Sequence, residues 1–297
     1  MRLIEKMIVE NGYSGSDWDF EKTTKYIFEL DGKYLEAGYF EHFKENELMK
    51  TVIELPQSYG CAAKCRFCAS AAIETFGLLN VSDMQEMFEY LYEENQLEQQ
   101  QYVLLTMTGM GDIFFNYENV AAFLLQAGIK ENLHVTLSSC LWNDQLLDKV
   151  KLLCGDVHIR NIQITYVSDD SEKAMEIIPF YKNLTYDFHK IVSYIEGHTE
   201  SYYRINYIVI KGVNDSEEDV HRFSQGIKTI RNKVVVRVSQ LNETGATKRN
   251  QLQTTDVSVL EHLQQILQRD RIKSYVFYAH KNDNMNCGQL ITEKWGK

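Results

Sequence analysis

TVIELPQSYGCAAKCRFCAS, residues 51–70, joins an apolar β-like run to three cysteines spaced C-x3-C-x2-C at Cys61, Cys65 and Cys68. TVIEL is the first of six strand candidates. It is followed by YVLLTMTG, HVTLSSC, NIQITYV, RINYIVIKG and VVVRVSQLN, most of them trailed by an amphipathic segment. Strands alternating with helices predict repeated βα units and a parallel sheet. Six units are too few for the usual closed eight-stranded barrel. The expected fold is therefore α/β, an open, partial (β/α)6 barrel, with its chemistry at the C-terminal ends of the strands. The cysteines follow the first strand and so fall at that end.

Upstream, TTKYIFELDGKYLEAGYF, residues 23–40, alternates apolar and polar positions around Asp31-Gly32, a dipeptide suited to a type I′ turn. This predicts a leading β-hairpin within an N-terminal extension of residues 1–50, ahead of a core with a C-terminal extension over 51–297. After the cysteines, Ser82 and Gln85 are spaced as a capping box, and Met84, Met87, Phe88 and Leu91 share one helical face. A later helix is expected from Ser216, with Glu217, Glu218 and Asp219 in its first turn and Val220, Phe223 and Ile227 inward.

The composition, 44% hydrophobic over 297 residues, supports a substantial core. The first residues, MRLIEKMIVENG, are interrupted by Glu5, Lys6 and Glu10, which argues against a signal peptide, and no later segment reads as a membrane span. A cytoplasmic setting is expected. There, clustered cysteines point to metal binding or catalysis before disulfides. The net charge of -11 disfavours nucleic acid, but it is uneven: residues 1–200 carry -16 and residues 201–297 carry +5. Any polyanion contact would favour the last third, where a solvated basic face is the plainer alternative.

Three thiolates suit two kinds of centre differently. Structural zinc takes four protein ligands, commonly as two pairs, and the remaining Cys140, Cys154 and Cys287 are isolated. A cubane iron-sulfur cluster has four irons, so three cysteines leave one iron open. An open iron can chelate the amino and carboxylate groups of S-adenosylmethionine, which a low-potential electron then cleaves to a 5′-deoxyadenosyl radical.

C-A-A-K-C-R-F-C, with Phe67 before its last cysteine, resembles the signature of the radical SAM superfamily. The likeness extends to the RlmN/Cfr family of radical SAM methyltransferases, which methylate adenine in RNA, and covers roughly residues 28 to 293. Gly109-Met110-Gly111-Asp112-Ile113 resembles the family's GMGEP, with Asp112 shortening its Glu. VTLSS at 135–139 resembles VTLSTS and places a SAM-binding serine at Ser138. The family's ISLH falls on Ile164-Thr165-Tyr166-Val167, where Thr165 keeps the hydroxyl. KGVND at 211–215 is unchanged, and Asn242 lies where a family asparagine contacts SAM. NCGQL at 286–290 resembles ACGQL, which makes Cys287 the implied methyl carrier, and Glu36 falls at the position of the general base. A [4Fe-4S] cluster, S-adenosylmethionine, an electron donor of flavodoxin or ferredoxin type, and RNA are the cofactors and partners so implied.

Each assignment has an ordinary structural alternative. Gly109 and Gly111 could serve a strand-to-helix turn, Ser138 could be a strand hydroxyl, Asn242 a turn residue, Cys287 a buried thiol and Glu36 a solvated hairpin side chain.

The chain also departs from the family. Seven residues before Cys61, where the family has the cysteine that resolves its covalent adduct, stands Glu54. Cys140, two residues beyond Ser138 and on the same face if the strand continues, is the candidate substitute, a buried strand cysteine being the alternative. The accessory domain of RNA-modifying members is not apparent before the hairpin, which with the acidic first two-thirds weakens RNA as substrate. Two other readings stay open: direct hydrogen abstraction from a small molecule or peptide, and a catalytically silent cluster or zinc protein.

Overall fold

The computed structural model describes residues 1–10, 20–127, 130–184, 186–198, 203–279 and 289–294. Four antiparallel strands lead: β1 (Arg2–Glu10), β2 (Phe20–Leu30), β3 (Lys33–Lys44) and β4 (Glu47–Glu54). A two-stranded hairpin, β5 (Ser58–Tyr59) with β6 (Gly77–Leu78), brackets the cysteine segment. Then α1 (Val81–Glu94), β7 (Val103–Met107), α2 (Ile113–Ala127), β8 (Leu133–Ser139), α3 (Asp144–Leu153) and β9 (Ile159–Tyr166) alternate. They continue as α4 (Ser171–Ile177), α5 (Phe188–Gly197), β10 (Tyr203–Val209), α6 (Glu217–Gly226) and β11 (Val234–Gln240). The last elements are α7 (Gly245–Arg249), α8 (Val257–Arg269), β12 (Ser274–Phe277) and α9 (Gln289–Lys294).

One ten-stranded sheet runs β1-β2-β3-β4-β7-β8-β9-β10-β11-β12, parallel from β4 onward. The partial barrel is thus present, with β12 as a further parallel strand among the described residues. SYVF is only four residues long, too short to show a period. The leading hairpin is also present, its turn formed by Asp31 and Gly32 at φ 50° and 73°. Its outer edge is extended by β1, and the expected boundary at 50/51 falls inside β4.

The sheet curls. Phe40 and His42 on β3 and Tyr275 and Phe277 on β12, far apart in strand order, line one cavity. Alternation along the strands sorts side chains between this cavity and the outer core. Leu105, Leu137, Ile162, Ile164, Ile205, Tyr207, Val236 and Val238 face outward against the helices. Thr106, Thr136, Gln163, Thr165, Asn206 and Ser239 face inward.

Local expectations for the helices are partly corrected. Met84, Met87, Phe88 and Leu91 are buried, but the capping box of α1 is Asn80 with Asp83; Ser82 instead donates to Asn80 Oδ1 at 2.7 Å. Asparagine offers the same acceptor as serine two residues earlier, which starts the helix sooner. In α6 the start at Ser216, the acidic first turn and buried Val220, Phe223 and Ile227 stand as expected, and the structure adds a capping box between Ser216 and Asp219.

Candidate active site

Beyond β4 the chain docks on the loop after β7. Gln57 N and Ser58 N donate to Met110 O at 2.7 and 3.3 Å, and Leu55 N donates to Thr106 O at 3.1 Å. The cysteine loop then folds over itself: Lys64, at φ 52°, donates to the carbonyls of Ala71 and Ile73 at 3.2 and 2.9 Å. Arg66 fastens it outward, pairing with Glu176 at 2.6 Å while its amide donates to Ile177 O at 2.9 Å. These bonds fix a loop whose side chains alone could not order it.

Cys61, Cys65 and Cys68 all line the cavity, which has a volume of about 440 Å³. Burial first, and then the neighbouring thiols, push the Cys61 thiol well up and the Cys68 thiol to about 11. Among the described residues, no three His, Cys, Asp or Glu side chains are arranged to hold a single metal ion. The thiols fit a cluster better: they are soft donors on one wall, held protonated by burial until a cationic centre takes them as thiolates.

The residues matched to the SAM site come from different strand ends and meet here. Gly109, Gly111, Asp112, Ser138, Cys140, Thr165 and Asn242 all line the same cavity. The glycines, however, serve the protein's own packing. A Cβ on Gly109 would stand 2.6 Å from Leu55 O, and one on Gly111, at φ 102°, would strike Ser58 Oγ. They let the loops after β4 and β7 close on each other.

Asp112 is likewise committed. Its Oδ1 accepts from Ser139 Oγ at 2.6 Å and Phe114 N at 2.9 Å; its Oδ2 accepts from Cys140 N at 2.9 Å and Cys140 Sγ at 3.3 Å. Burial raises the carboxyl's pKa, and these donors oppose the rise. Asp112, matched to the Glu of the family's GMGEP, ties the loop after β7 to the end of β8. Ser138 Oγ accepts from Gln163 Nε2 at 3.0 Å. β8 stops at Ser139, yet Cys140 still turns to the cavity, with its Sγ 3.6 Å from Cys65 Sγ.

Glu36 is 2% exposed and is not among the cavity residues. Its Oε1 meets Lys25 Nζ at 3.1 Å and its Oε2 accepts from Ile291 N at 3.1 Å. Lys25 also reaches Glu54 at 3.4 Å, and Glu54 faces the cavity, accepting from Thr108 at 2.9 Å. The position expected to hold a base therefore anchors a buried ion network, and Glu54 is its carboxylate on the cavity. Cys287 lies outside the described residues. Gln289, two positions later, donates to Glu243 O at 2.6 Å, beside Asn242.

Sequence reading missed the far end of the cavity, lined by Glu21, His42, Lys50, Arg204, Arg237 and Tyr275. A signal existed. RINYIVI and VVVRVSQ each carry a pair of polar residues two apart, Arg204 with Asn206 and Arg237 with Ser239, whereas strands buried on both faces read as continuous apolar runs.

Comparison with known proteins gives a consistent picture. No family model matches the chain. It is 26% identical over 283 residues to a probable dual-specificity RNA methyltransferase RlmN of Streptococcus mutans, covering 90% of this chain and 74% of the relative. A protein of the same description from Alkaliphilus metalliredigens is 25% identical over 277 residues, with coverage of 90% and 74%. Among solved structures, a radical SAM methyltransferase from Sphaerobacter thermophilus superposes with a TM-score of 0.74 at 18% identity, covering 97% of this chain and 80% of that one. Streptococcus suis SuiB bound to S-adenosylmethionine superposes at 0.54 with 15% identity, covering 82% and 55%. With three cysteines at C-x3-C-x2-C facing one cavity at the strand ends, the chain is similar to RlmN/Cfr radical SAM methyltransferases, a likeness that implies a [4Fe-4S] cluster and S-adenosylmethionine as its cofactors.

Proposed function

We propose that this enzyme is a methyltransferase that carries its methyl group on Cys287 and delivers it to an sp2 carbon, of an RNA adenine or of a smaller molecule. The observation that supports this reading most is the meeting of Cys61, Cys65 and Cys68 with Gly109, Gly111, Ser138, Thr165 and Asn242 on one cavity. When bound, the cluster supplies the electron that cleaves S-adenosylmethionine to a 5′-deoxyadenosyl radical. Cys61, Cys65 and Cys68 hold that cluster. Ser138, Thr165 and Asn242 offer hydroxyl and amide groups to the polar parts of S-adenosylmethionine. Asp112 acts as a positioning residue, since its four protein donors set Ser139 and Cys140. Glu36 positions Glu54 through Lys25 and holds α9 through Ile291 N.

Cys140 stands in for the resolving thiol. Its place on the cavity supports that role. A Cys140→Ala enzyme is then expected to methylate once and stall, and turnover at the unaltered rate would end the idea. The setting is cytoplasmic, and the reductant is a small flavodoxin- or ferredoxin-type protein. No helix among the described residues is long and apolar enough to cross a membrane.

Glu54 in place of the family's resolving cysteine favours a second reading, in which the radical abstracts hydrogen directly from its substrate and no methyl passes through Cys287. One experiment separates them. The cluster is reconstituted anaerobically, S-adenosylmethionine and reductant are added, the intact protein is weighed and 5′-deoxyadenosine is assayed. A methyl on Cys287 supports the methyltransferase; deoxyadenosine without protein methylation supports direct abstraction. Neither product would overturn both.

A further inference from the structure

The cysteine loop ends in a short 3-10 turn, Ala69–Ala72, that begins directly after Cys68. Cys68 N donates to Cys65 O at 3.0 Å, Ala71 N to Cys68 O at 3.2 Å and Ile73 N to Ser70 O at 3.3 Å. Lys64 ties down the carbonyls of Ala71 and Ile73. The residues flanking α7 hold the stretch just before the turn: Thr244 Oγ1 donates to Phe67 O at 3.3 Å and Asn250 Nδ2 to Arg66 O at 2.8 Å. The side chains of the turn therefore have set positions relative to Cys68.

Ser70 is the one polar residue of that turn and is 1% exposed, yet its Oγ has no hydrogen-bond partner among the described residues. A buried polar atom left unpaired is destabilising, and native structures keep few of them. The other three residues of the turn, Ala69, Ala71 and Ala72, show that alanine suits its backbone, so the hydroxyl is not there for the turn. The neutral Cys68 thiol does not satisfy it. The ionised sulfur is a different acceptor. Burial and then Cys65 press the Cys68 thiol up, while the Ser70 amide and hydroxyl and the Ala71 amide act the other way, in favour of the thiolate. A thiol accepts hydrogen bonds weakly, an anionic sulfur accepts them well, and a serine hydroxyl rotates to suit its acceptor.

We propose that Ser70 donates its hydroxyl hydrogen to the Cys68 thiolate of the assembled cluster and so raises the potential at which that cluster accepts an electron. Hydrogen bonds to the sulfurs of an iron-sulfur cluster offset the negative charge added on reduction, and they are among the levers by which a protein sets the potential. Ser70 touches a ligand of the cluster and not the substrate, so its part is to make electron entry easier. The inference rests on the reading of Cys61, Cys65 and Cys68 as the cluster's ligands, and it adds a residue outside the C-x3-C-x2-C spacing that tunes what they hold.

The test uses the full chain and its Ser70→Ala, Ser70→Thr and Ser70→Val variants, each reconstituted anaerobically. Iron and sulfide are counted, folding is checked by circular dichroism, and the reduced cluster is followed by electron paramagnetic resonance in a potentiometric titration without S-adenosylmethionine. Ser70→Ala and Ser70→Val are expected to shift the ratio of oxidised to reduced cluster at a given potential about ten-fold toward oxidised, a midpoint lower by about 59 mV for one electron. Ser70→Thr should titrate close to the unaltered protein. Threonine and valine share a shape and differ by the hydroxyl, so the gap between them reads the hydrogen bond and not the packing. Equal midpoints for Ser70→Thr and Ser70→Val, or for Ser70→Ala and the unaltered protein, overturn the proposal. So would folded Ser70→Ala and Ser70→Val proteins that take up no cluster, since the hydroxyl would then serve assembly. An unaltered chain that takes up no four-iron cluster would sink the reading on which the inference rests, whereas a normal cluster with an unmoved midpoint sinks the role of Ser70 alone.

Discussion

Cys65 Sγ and Cys140 Sγ lie 3.6 Å apart, one on the cluster loop and the other just past the end of β8. That contact couples a cysteine proposed to hold the cluster to a second thiol. When the cluster is lost in air, the pair is expected to form a disulfide, the two thiol hydrogens passing to dissolved oxygen. Non-reducing peptide mapping should then find Cys65 joined to Cys140. Cys140→Ala protein given the same exposure should recover most of its iron on reconstitution without added thiol, where the unaltered chain recovers little. Cys65 still open to alkylation after air exposure would contradict this.

Lys25 is fully buried between Glu36 and Glu54. Removing its charge leaves two carboxylates without their shared cation, a change that costs about 3–5 kcal/mol in buried pairs. Lys25→Met should therefore unfold at markedly lower urea concentration. Lys25→Met with Glu36→Gln, which keeps an acceptor for Ile291 N, should recover part of the loss. Additive losses would show that the three groups do not act as one network.

Gly111 combines a φ of 102° with the close approach of Ser58 Oγ. Gly111→Ala is expected to destabilise by roughly 1–3 kcal/mol, because an alanine must strain the backbone and displace the loop that carries Cys61. Adding Ser58→Gly removes the collision but not the positive φ, so it should restore only part of the stability. Thermal midpoints of the two variants measure the split, and full restoration would mean that the backbone term is small.

Much of this arrangement was legible because it rests on local rules. The Asp31-Gly32 turn, the βα rhythm, the start of α6 at Ser216 and the cysteine spacing each follow from residues near one another in the chain. The start of α1 was misread by two positions because Ser82 and Asn80 both make acceptable caps. Glu36 could not be placed, since Lys25 faces it across the hairpin while Ile291, and Glu54, which shares Lys25, come from distant segments. The cavity residues Lys50, Arg204 and Arg237 were hidden for another reason. Inward and outward positions of a strand look alike until it is known that the sheet curls, and the polar stripe of Arg204, Asn206, Arg237 and Ser239 could then equally have faced water.

Lys50 provides a pH test of the cavity's electrostatics. Its amine has an ordinary pKa of 10.5 and is pressed to about 8 in the fold by burial and then by Arg204, Arg160 and Arg237, against the pull of Glu21. Below pH 8 the amine is protonated in both folded and unfolded chains, so it adds no slope. Between pH 8 and 10.5 the unfolded chain binds more protons, and stability must rise with pH there. The gain is at most about 3 kcal/mol for a shift of this size. Lys50→Met should be more stable than the unaltered chain at pH 7, with the advantage shrinking toward pH 10.5. The difference between the two proteins isolates Lys50 from the other thiols, phenols and amines that titrate in the window. Urea unfolding of both proteins at pH 7, 8.5 and 10 measures the effect, and parallel curves would show that the Lys50 amine is not shifted.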